Sequence, residues 1–169
     1  VLYTVKDEHI VIDTREVANG ENRVTIEFTA NDQSLNRRDE FLYTLLVPDR
    51  ARTLFPCFDQ PDMKSLFTLS LEVPPSWQAV ANGAIEQVDS TSVTGRRRVY
   101  FRETEPLSTY LFSFVAGKLT RETYSRDGRN ISIYHRETDP KKVAQCSDIA
   151  SEVFDALEWQ EEYTQIPKS

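Results

Sequence analysis

The chain has 169 residues, of which 39% are hydrophobic, including 9 Phe and 7 Tyr. This is enough apolar material for the core of one folded domain, and it excludes a disordered tail. The net charge of -7 and the pI near 4.9 argue against nucleic acid as the main partner, because phosphate binding needs a basic surface.

The first residue is Val1, and no signal-peptide pattern follows it, so we expect a shortened N-terminus and leave the compartment undecided. No apolar run reaches the roughly 20 residues that a membrane span needs, and none is predicted. Cys57 and Cys146 lie far apart in sequence and have no metal-ligand spacing. We expect two free, largely buried thiols.

Strands are predicted along most of the chain. Residues 24–28 and 67–73 alternate apolar and polar side chains, which places one face on a core and the other toward water. Content of β-branched and aromatic residues indicates further strands. In chain order these lie at residues 9–14, 41–47, 77–81, 84–88, 96–102, 110–115 and 131–135.

Turn residues separate these strands at short intervals. Asn82-Gly83 and Asp127-Gly128 each lie between two predicted strands, and both dipeptides favour the positive φ angles of a two-residue hairpin turn. Short strands with regular turns are typical of an all-β, antiparallel β-sandwich.

The pattern changes near the end of the chain. Asp139-Pro140 is a favourable helix start, because Asp caps free backbone N–H groups and Pro is tolerated in the first turn. Apolar residues then recur at helical spacing, and the predicted helix ends near Tyr163, before Pro167. One C-terminal α-helix after many strands predicts a division into domains 1–138 and 139–169. The apolar residues at helical spacing, which form one stripe along the predicted helix, are Val143, Cys146, Ala150, Val153, Phe154 and Leu157.

No complete active site is predicted. The histidines are His9 and His135, and neither belongs to an H-E-x-x-H arrangement that holds zinc from one helical face. The sequence contains no G-x-S-x-G elbow or phosphate loop, and it places no His beside a cysteine nucleophile. We therefore predict no catalytic residue and no metal ligand, and each His is interpreted as a surface or strand residue.

One segment carries a family resemblance. Residues 52–64 read R-T-L-F-P-C-F-D-Q-P-D-M-K, and residues 104–117 read T-E-P-L-S-T-Y-L-F-S-F-V-A-G. The first resembles the signature R-x-x-F-P-C-F-D-x-P-x-x-K of the aminopeptidase N family of zinc metallopeptidases (gluzincin aminopeptidases), and the second is similar to another block of that family. The hairpin and final helix follow in the order that this family shows.

The resemblance implies that the chain is the N-terminal β domain of a zinc aminopeptidase, followed in the parent by a thermolysin-like catalytic domain. That domain would supply G-x-M-E-N, H-E-x-x-H and a later Glu, and residues 139–169 would begin it. Zinc and the peptide substrate would then be bound by the intact parent, with the catalytic domain as the partner of this chain. The chain alone is expected to be inactive.

The residues of the motif also have a structural interpretation. Asp59 can accept bonds from backbone N–H groups and pair with Arg52, and Phe55 and Phe58 can anchor a loop in a core. The block is therefore either a rigid corner of the sandwich or a wall of a substrate cleft. The motif residues interpreted mainly as structural are Arg52, Phe55, Pro56, Phe58, Asp59 and Pro61.

A departure from the family concerns binding of the substrate amine. Relatives place a Gln, and often a Glu two residues later, before the motif; Leu45 and Val47 stand at those positions here. Neither side chain binds an ammonium group, and Asp49 is the nearest acid that could substitute.

Alternatives to a supporting domain of an active enzyme remain open. An inactive relative used as a scaffold would explain Leu45 and Val47. A free-standing β-sandwich that binds carbohydrate or protein would use exposed aromatics such as Trp77 and Trp159.

Overall fold

The computed structural model describes residues 2–90 and 95–166. The chain forms two compact units, the first ending at Ala30 and the second beginning at Asn31. In chain order the strands are β1 (Tyr3–Lys6), β2 (His9–Ile12), β3 (Leu35–Arg37), β4 (Phe41–Thr44), β5 (Lys64–Ser65), β6 (Ser70–Val73), β7 (Gln78–Ala81), β8 (Ile85–Asp89), β9 (Arg97–Phe101), β10 (Leu107–Ser108), β11 (Phe114–Gly117), β12 (Thr120–Arg126) and β13 (Arg129–His135). The helices are α1 (Pro140–Val143) and α2 (Cys146–Thr164).

The first unit contains an antiparallel hairpin of β1 and β2. Asp7 and Glu8 form its turn with φ angles of 50° and 63°. The strand predicted at residues 24–28 is wrong, because this stretch pairs with no strand in the described part of the chain. Alternation decides which side chains share a face, whereas a strand also needs a hydrogen-bonded neighbour.

Two sheets of the second unit form a sandwich. One has the order β3-β4-β11-β7 and the other β6-β9-β8, and all neighbouring strands are antiparallel. The buried core takes Ala79 and Ala116 from the first sheet and Val73, Val99 and Phe101 from the second. Side chains of both sheets therefore bury each other, which confirms the predicted all-β sandwich.

The two predicted hairpin turns have different outcomes. Asp127 and Gly128, with φ angles of 50° and 79°, join β12 to β13 as predicted. Asn82-Gly83 is not a hairpin turn, because β7 and β8 belong to different sheets. Gly83 instead serves close packing, since a Cβ at this position would lie 2.1 Å from the carbonyl oxygen of Arg102.

Several strands are shorter than predicted. The stretch at residues 67–73 enters a sheet only from Ser70, and the strand predicted at residues 110–115 begins at Phe114. Thr109–Leu111 forms a 3-10 turn instead, closed by the Phe112 N–H on the Thr109 carbonyl at 3.1 Å. Turn hydrogen bonds of this kind are not visible in an apolar pattern.

The C-terminal segment is helical, as predicted, and Asp139 caps it by accepting from the Lys141 N–H at 2.9 Å. The helix is divided between Val143 and Cys146, where the Gln145 N–H bonds to the Lys142 carbonyl and tightens the turn. Cys146, Ala150 and Phe154 are buried, whereas Val153 of the predicted stripe is exposed. The domain division at residue 138 stays a prediction.

Within the described residues, no helix combines the length and the apolar character needed to cross a lipid bilayer.

Candidate functional site

The motif loop, residues 48–62, follows β4 after three intervening residues. Leu46 is buried, while its neighbours Leu45 and Val47 are 52% and 53% exposed. The Val47–Pro48 peptide is cis. The chain then forms a 3-10 turn over Ala51–Thr53, in which Ala51 is fully buried. Burial of Leu46 therefore fixes the residues that lead into the loop, and the side chains of Leu45 and Val47 face outward.

Asp59 is the anchor of the motif loop. Its Oδ2 accepts from the Arg52 backbone N–H at 3.0 Å, and its Oδ1 accepts from the Thr109 hydroxyl at 2.8 Å. The side chain is 6% exposed. A carboxylate removed from water must be paired with donors, and these contacts meet that need.

Arg52 lies between two carboxylates. Its Nη1 is 3.5 Å from Oδ2 of Asp59 and 3.5 Å from Oδ2 of Asp49. The same nitrogen donates to the Asp49 backbone carbonyl. The predicted Arg52–Asp59 pair is present, and the guanidinium also fixes Asp49, whose side chain is 60% exposed.

A companion segment, residues 104–114, packs against the motif loop. Thr109 is buried and bonds Asp59, and the Ser108 hydroxyl donates to the Pro61 carbonyl. β10 in this segment also pairs with β5. The two sequence blocks that carry the family resemblance are therefore in direct contact.

Phenylalanines form the apolar side of the same corner. Phe55 meets Phe112 edge-on at 5.5 Å between ring centroids, and Phe67 stacks on Phe112 at 4.4 Å. Phe112 is buried, so it is the centre of the group. Phe55 is an anchor as predicted, but Phe58 is not, because its side chain is 76% exposed.

The prolines of the motif differ in surroundings. Pro56 is half-buried beside Phe55, and Pro61 is exposed with its carbonyl bonded by Ser108. With no N–H and a fixed φ, each limits the conformations of the loop. Within the motif, Arg52, Asp59 and Phe55 make side-chain contacts, and Phe58 is available at the surface.

Cys57 lies between these anchors and is half-buried, while Cys146 in α2 is buried; both are free. Burial raises the pKa of the Cys57 thiol to about 11, and the nearby Asp59 carboxylate adds to this effect. The thiol is therefore protonated near neutral pH and is a poor nucleophile. The expectation of a largely buried thiol is confirmed for Cys146, whereas Cys57 is only half-buried.

The histidines lie in strands, as predicted. His9 in β2 is exposed, with Nδ1 2.5 Å from the Asp7 carbonyl. His135 in β13 is half-buried and accepts from the Glu137 N–H at 3.1 Å through Nδ1. Across residues 2–90 and 95–166, no three His, Cys, Asp or Glu side chains converge as a metal site.

Sequence reasoning recognised the companion segment without assigning roles to its residues. Thr109, Ser108 and Phe112 are the partners it missed. A buried carboxylate needs a donor, but nothing in the pattern T-E-P-L-S-T-Y-L-F says which hydroxyl reaches Asp59. The pairing spans 50 sequence positions and is set by the fold.

Comparison with known proteins is consistent with this geometry. The family model described as the Peptidase M1 N-terminal domain matches residues 2–111. "Aminopeptidase M1-A" of Oryza sativa subsp. japonica is 30% identical over 176 aligned residues, covering 96% of this chain and 20% of the relative.

Two further relatives are similar over shorter stretches. "Probable M1 family aminopeptidase 2" of Encephalitozoon cuniculi (strain GB-M1) is 38% identical over 96 residues, covering 56% of this chain and 11% of its own. "Glutamyl aminopeptidase" of Sus scrofa is 31% identical over 112 residues, covering 66% of this chain and 12% of the relative. This chain therefore spans from 11% to 20% of the length of these relatives.

Proposed function

The chain belongs to the family of peptidase M1 N-terminal domains, and from this premise we propose that it is the non-catalytic β domain of a zinc-dependent aminopeptidase. In this proposal other parts of the parent bind zinc and cleave N-terminal residues from peptides. The β domain supports one side of the substrate cleft. The catalytic domain is its partner within the same parent chain.

The observation that carries the proposal is the fixed corner made by the motif loop and the companion segment. Asp59 accepts at 3.0 Å from Arg52 and at 2.8 Å from Thr109, and the phenylalanine group packs beside it. A wall of a binding cleft needs such rigidity, because a surface held in place loses little entropy when substrate binds.

The rim of this corner is what the domain would present to substrate. Leu45 and Val47 expose apolar side chains, and neither can accept a hydrogen bond from an ammonium group. Asp49 is the exposed acid nearest to them in sequence, and Arg52 holds its carboxylate at 3.5 Å. We assign Asp49 to the amine of the substrate, with its negative charge partly offset by Arg52.

The described residues do not supply zinc ligands. Metal-assisted hydrolysis needs about three protein ligands and an open position for water. No such group converges within the described part of this chain. In this proposal the zinc chemistry belongs to the remainder of the parent, and this domain contributes shape and charge.

The test compares the parent enzyme, its Asp49→Asn variant and the isolated 169-residue chain on aminoacyl-amide substrates. We expect zinc-dependent activity in the parent and a raised KM with little change in kcat for Asp49→Asn. The isolated chain should show no activity. A parent that lacks activity and zinc would instead support a scaffold derived from an inactive relative. Unchanged KM in Asp49→Asn would remove that residue's role.

A second candidate function is a binding module, and one feature favours it. Trp159 and Tyr163 stack at 5.3 Å with an interplanar angle of 9°, and they are 62% and 76% exposed. Exposed stacked rings suit carbohydrate or an apolar protein surface. Trp77, in contrast, is half-buried against the core and is not available.

Glycan-array binding or protein capture by the isolated chain, lost in Trp159→Ala and retained in Trp77→Phe, would support the binding module. Absence of binding in the unaltered chain would remove it.

A further inference from the structure

The hairpin–helix segment, residues 120–164, is built separately from the sandwich. β12 and β13 form a two-stranded sheet of their own, and α2 packs on both strands. Arg126 and Arg129 hold the helix on the hairpin through ion pairs with Asp155 and Glu161. The buried core of the sandwich, by contrast, takes its members from β6, β7, β9 and β11. The segment therefore has internal contacts that can keep its shape when its attachment to the sandwich changes.

A cleft of about 450 Å³ lies between the sandwich and the hairpin. Its sandwich side is formed by residues 79–85 and Phe101, and its hairpin side by Arg121 and Tyr134. Burial stabilises in proportion to the apolar area removed from water, so open space at this boundary weakens the contribution of packing there. The orientation of the segment therefore depends more strongly on the contacts where it is attached.

The joint, residues 117–119, is where β11 leads into β12. The Leu119 N–H bonds to the Gly117 carbonyl at 2.9 Å, which turns the chain between the two strands. Gly117 lies close to β4, because a Cβ at this position would be 2.6 Å from Cβ of Phe41. The Lys118 N–H donates to the Glu40 carbonyl at 2.8 Å. The backbone of the joint is therefore held beside Glu40.

The Glu40 side chain connects both ends of the hairpin to the sandwich. Lys118, before β12, donates from Nζ to Oε1 at 2.7 Å, and Arg136, after β13, donates from Nη2 to Oε2 at 3.2 Å. The Arg136 guanidinium also lies 4.4 Å from the ring centroid of Phe41. Hydrogen bonding from Lys118 lowers the pKa of the Glu40 carboxyl, and the charge of Arg136 adds to this effect. The carboxylate is therefore ionised near neutral pH, with one cation on each oxygen.

We propose that Glu40 fixes the orientation of the hairpin–helix segment relative to the sandwich by bridging Lys118 and Arg136. An isolated exposed ion pair contributes little, whereas charges that share a partner in a network contribute more. Attachment of both ends of the hairpin restrains rotation more strongly than the backbone bond at Lys118 alone. The bridge also sets the width of the cleft, because Arg121 and Tyr134 move with the hairpin.

Pulsed electron–electron double resonance between two spin labels measures the range of orientations in the 169-residue chain. The labels are placed at Gln87→Cys in β8 and Glu152→Cys in α2, because both positions are exposed. The background carries Cys57→Ser and Cys146→Ala, so that each label has one site of attachment. A single, narrow distance distribution is expected for this labelled chain.

Glu40→Gln keeps the size of the side chain and removes its charge, so the distance distribution should broaden. Glu72→Gln is the matched control, because it breaks the ion pair with Arg98 inside the sandwich sheet. This control should leave the width of the distribution unchanged. Circular dichroism checks that the variants fold.

Variants of the two cations test the bridge from its other side. Lys118→Gln and Arg136→Gln each leave one ion pair with Glu40, so each should broaden the distribution less than Glu40→Gln does. The double variant K118Q/R136Q should broaden it at least as much as Glu40→Gln. An unchanged width in Glu40→Gln or in the double variant, or equal broadening in Glu72→Gln, would overturn the proposal.

Discussion

The hydroxyl of Thr109 donates to Oδ1 of Asp59 at 2.8 Å and so joins two segments that lie 50 residues apart in sequence. Both groups are buried, and the other carboxylate oxygen accepts from the Arg52 backbone N–H. This bond therefore fixes the position of the motif loop on the companion segment.

Thr109→Val removes the donor while keeping the side-chain volume. We expect a loss of about 1–3 kcal/mol in the free energy of unfolding, because a buried carboxylate oxygen loses its partner. Urea unfolding measures the change. Thr120→Val, at an exposed position of β12, is the matched control and should shift stability by no more than about 0.5 kcal/mol. Equal effects in both variants would contradict the role of the Asp59 bond.

Asp59 and Asp49 offer a second matched comparison, since Nη1 of Arg52 lies 3.5 Å from each carboxylate. Asp59→Asn should lower the free energy of unfolding by about 1–3 kcal/mol, because its side chain is buried. Asp49→Asn should cost about 1 kcal/mol or less, because solvent screens the exposed pair. Chemical denaturation distinguishes them, and a larger loss in Asp49→Asn would refute this assignment.

Gly83 is constrained by close backbone packing. Gly83→Ala places a methyl group 2.1 Å from the Arg102 carbonyl oxygen, and backbone on both sides limits relief. We expect a loss of about 3 kcal/mol in the free energy of unfolding, measured by thermal or urea denaturation. A Cβ at Gly20 would have no atom within 4 Å, so Gly20→Ala is opposed only by the positive φ angle. We expect it to lower the free energy of unfolding by about 1 kcal/mol. A small loss of stability in Gly83→Ala would show that the backbone segments at Gly83 and Arg102 can move apart.

Cys57 should respond to alkaline pH. Burial raises the pKa of its thiol from an ordinary value of 9.0 to about 11 in the folded state. The folded chain thus holds this proton more tightly than the unfolded chain, and the resulting stability is complete below about pH 9 and lost as pH rises through 11.

Alkylation by iodoacetamide, followed by peptide mass spectrometry, reports the Cys57 thiolate directly. Its rate in the folded chain should stay low at pH 8 and rise toward pH 11, about two pH units above the rise seen in urea. Cys57→Ser should remove the part of the alkaline loss of stability that this thiol causes. A reaction profile centred below pH 9 in the folded chain would be inconsistent with a buried thiol.

Sequence patterns predicted the sandwich because the buried positions of β6 and β9 alternate as a strand on a core must. They failed at residues 24–28, where alternation is present but no strand among the described residues pairs with the stretch. They also failed at Asn82-Gly83, where glycine allows close packing against Arg102 and not a hairpin turn. In both cases the outcome depends on contacts with residues distant in sequence, which a local pattern does not reveal.

The site was predicted in part for a similar reason. Arg52, Asp59 and Phe55 could be chosen because their chemistry suits a corner, and each makes such a contact. Phe58 was misjudged, because apolar character alone does not say which of two neighbouring rings turns inward. Thr109 was missed, since its role depends on the buried carboxylate that it meets.

The two halves of α2 are attached to the β12–β13 hairpin by different forces. Cys146, Ala150 and Phe154 are buried in the first half, whereas beyond them the helix is held by ion pairs of Arg126 with Asp155 and of Arg129 with Glu161. Salt screens the latter and strengthens apolar burial. Concentrated salt should therefore weaken the docking of the C-terminal half of α2 more than that of its first turns.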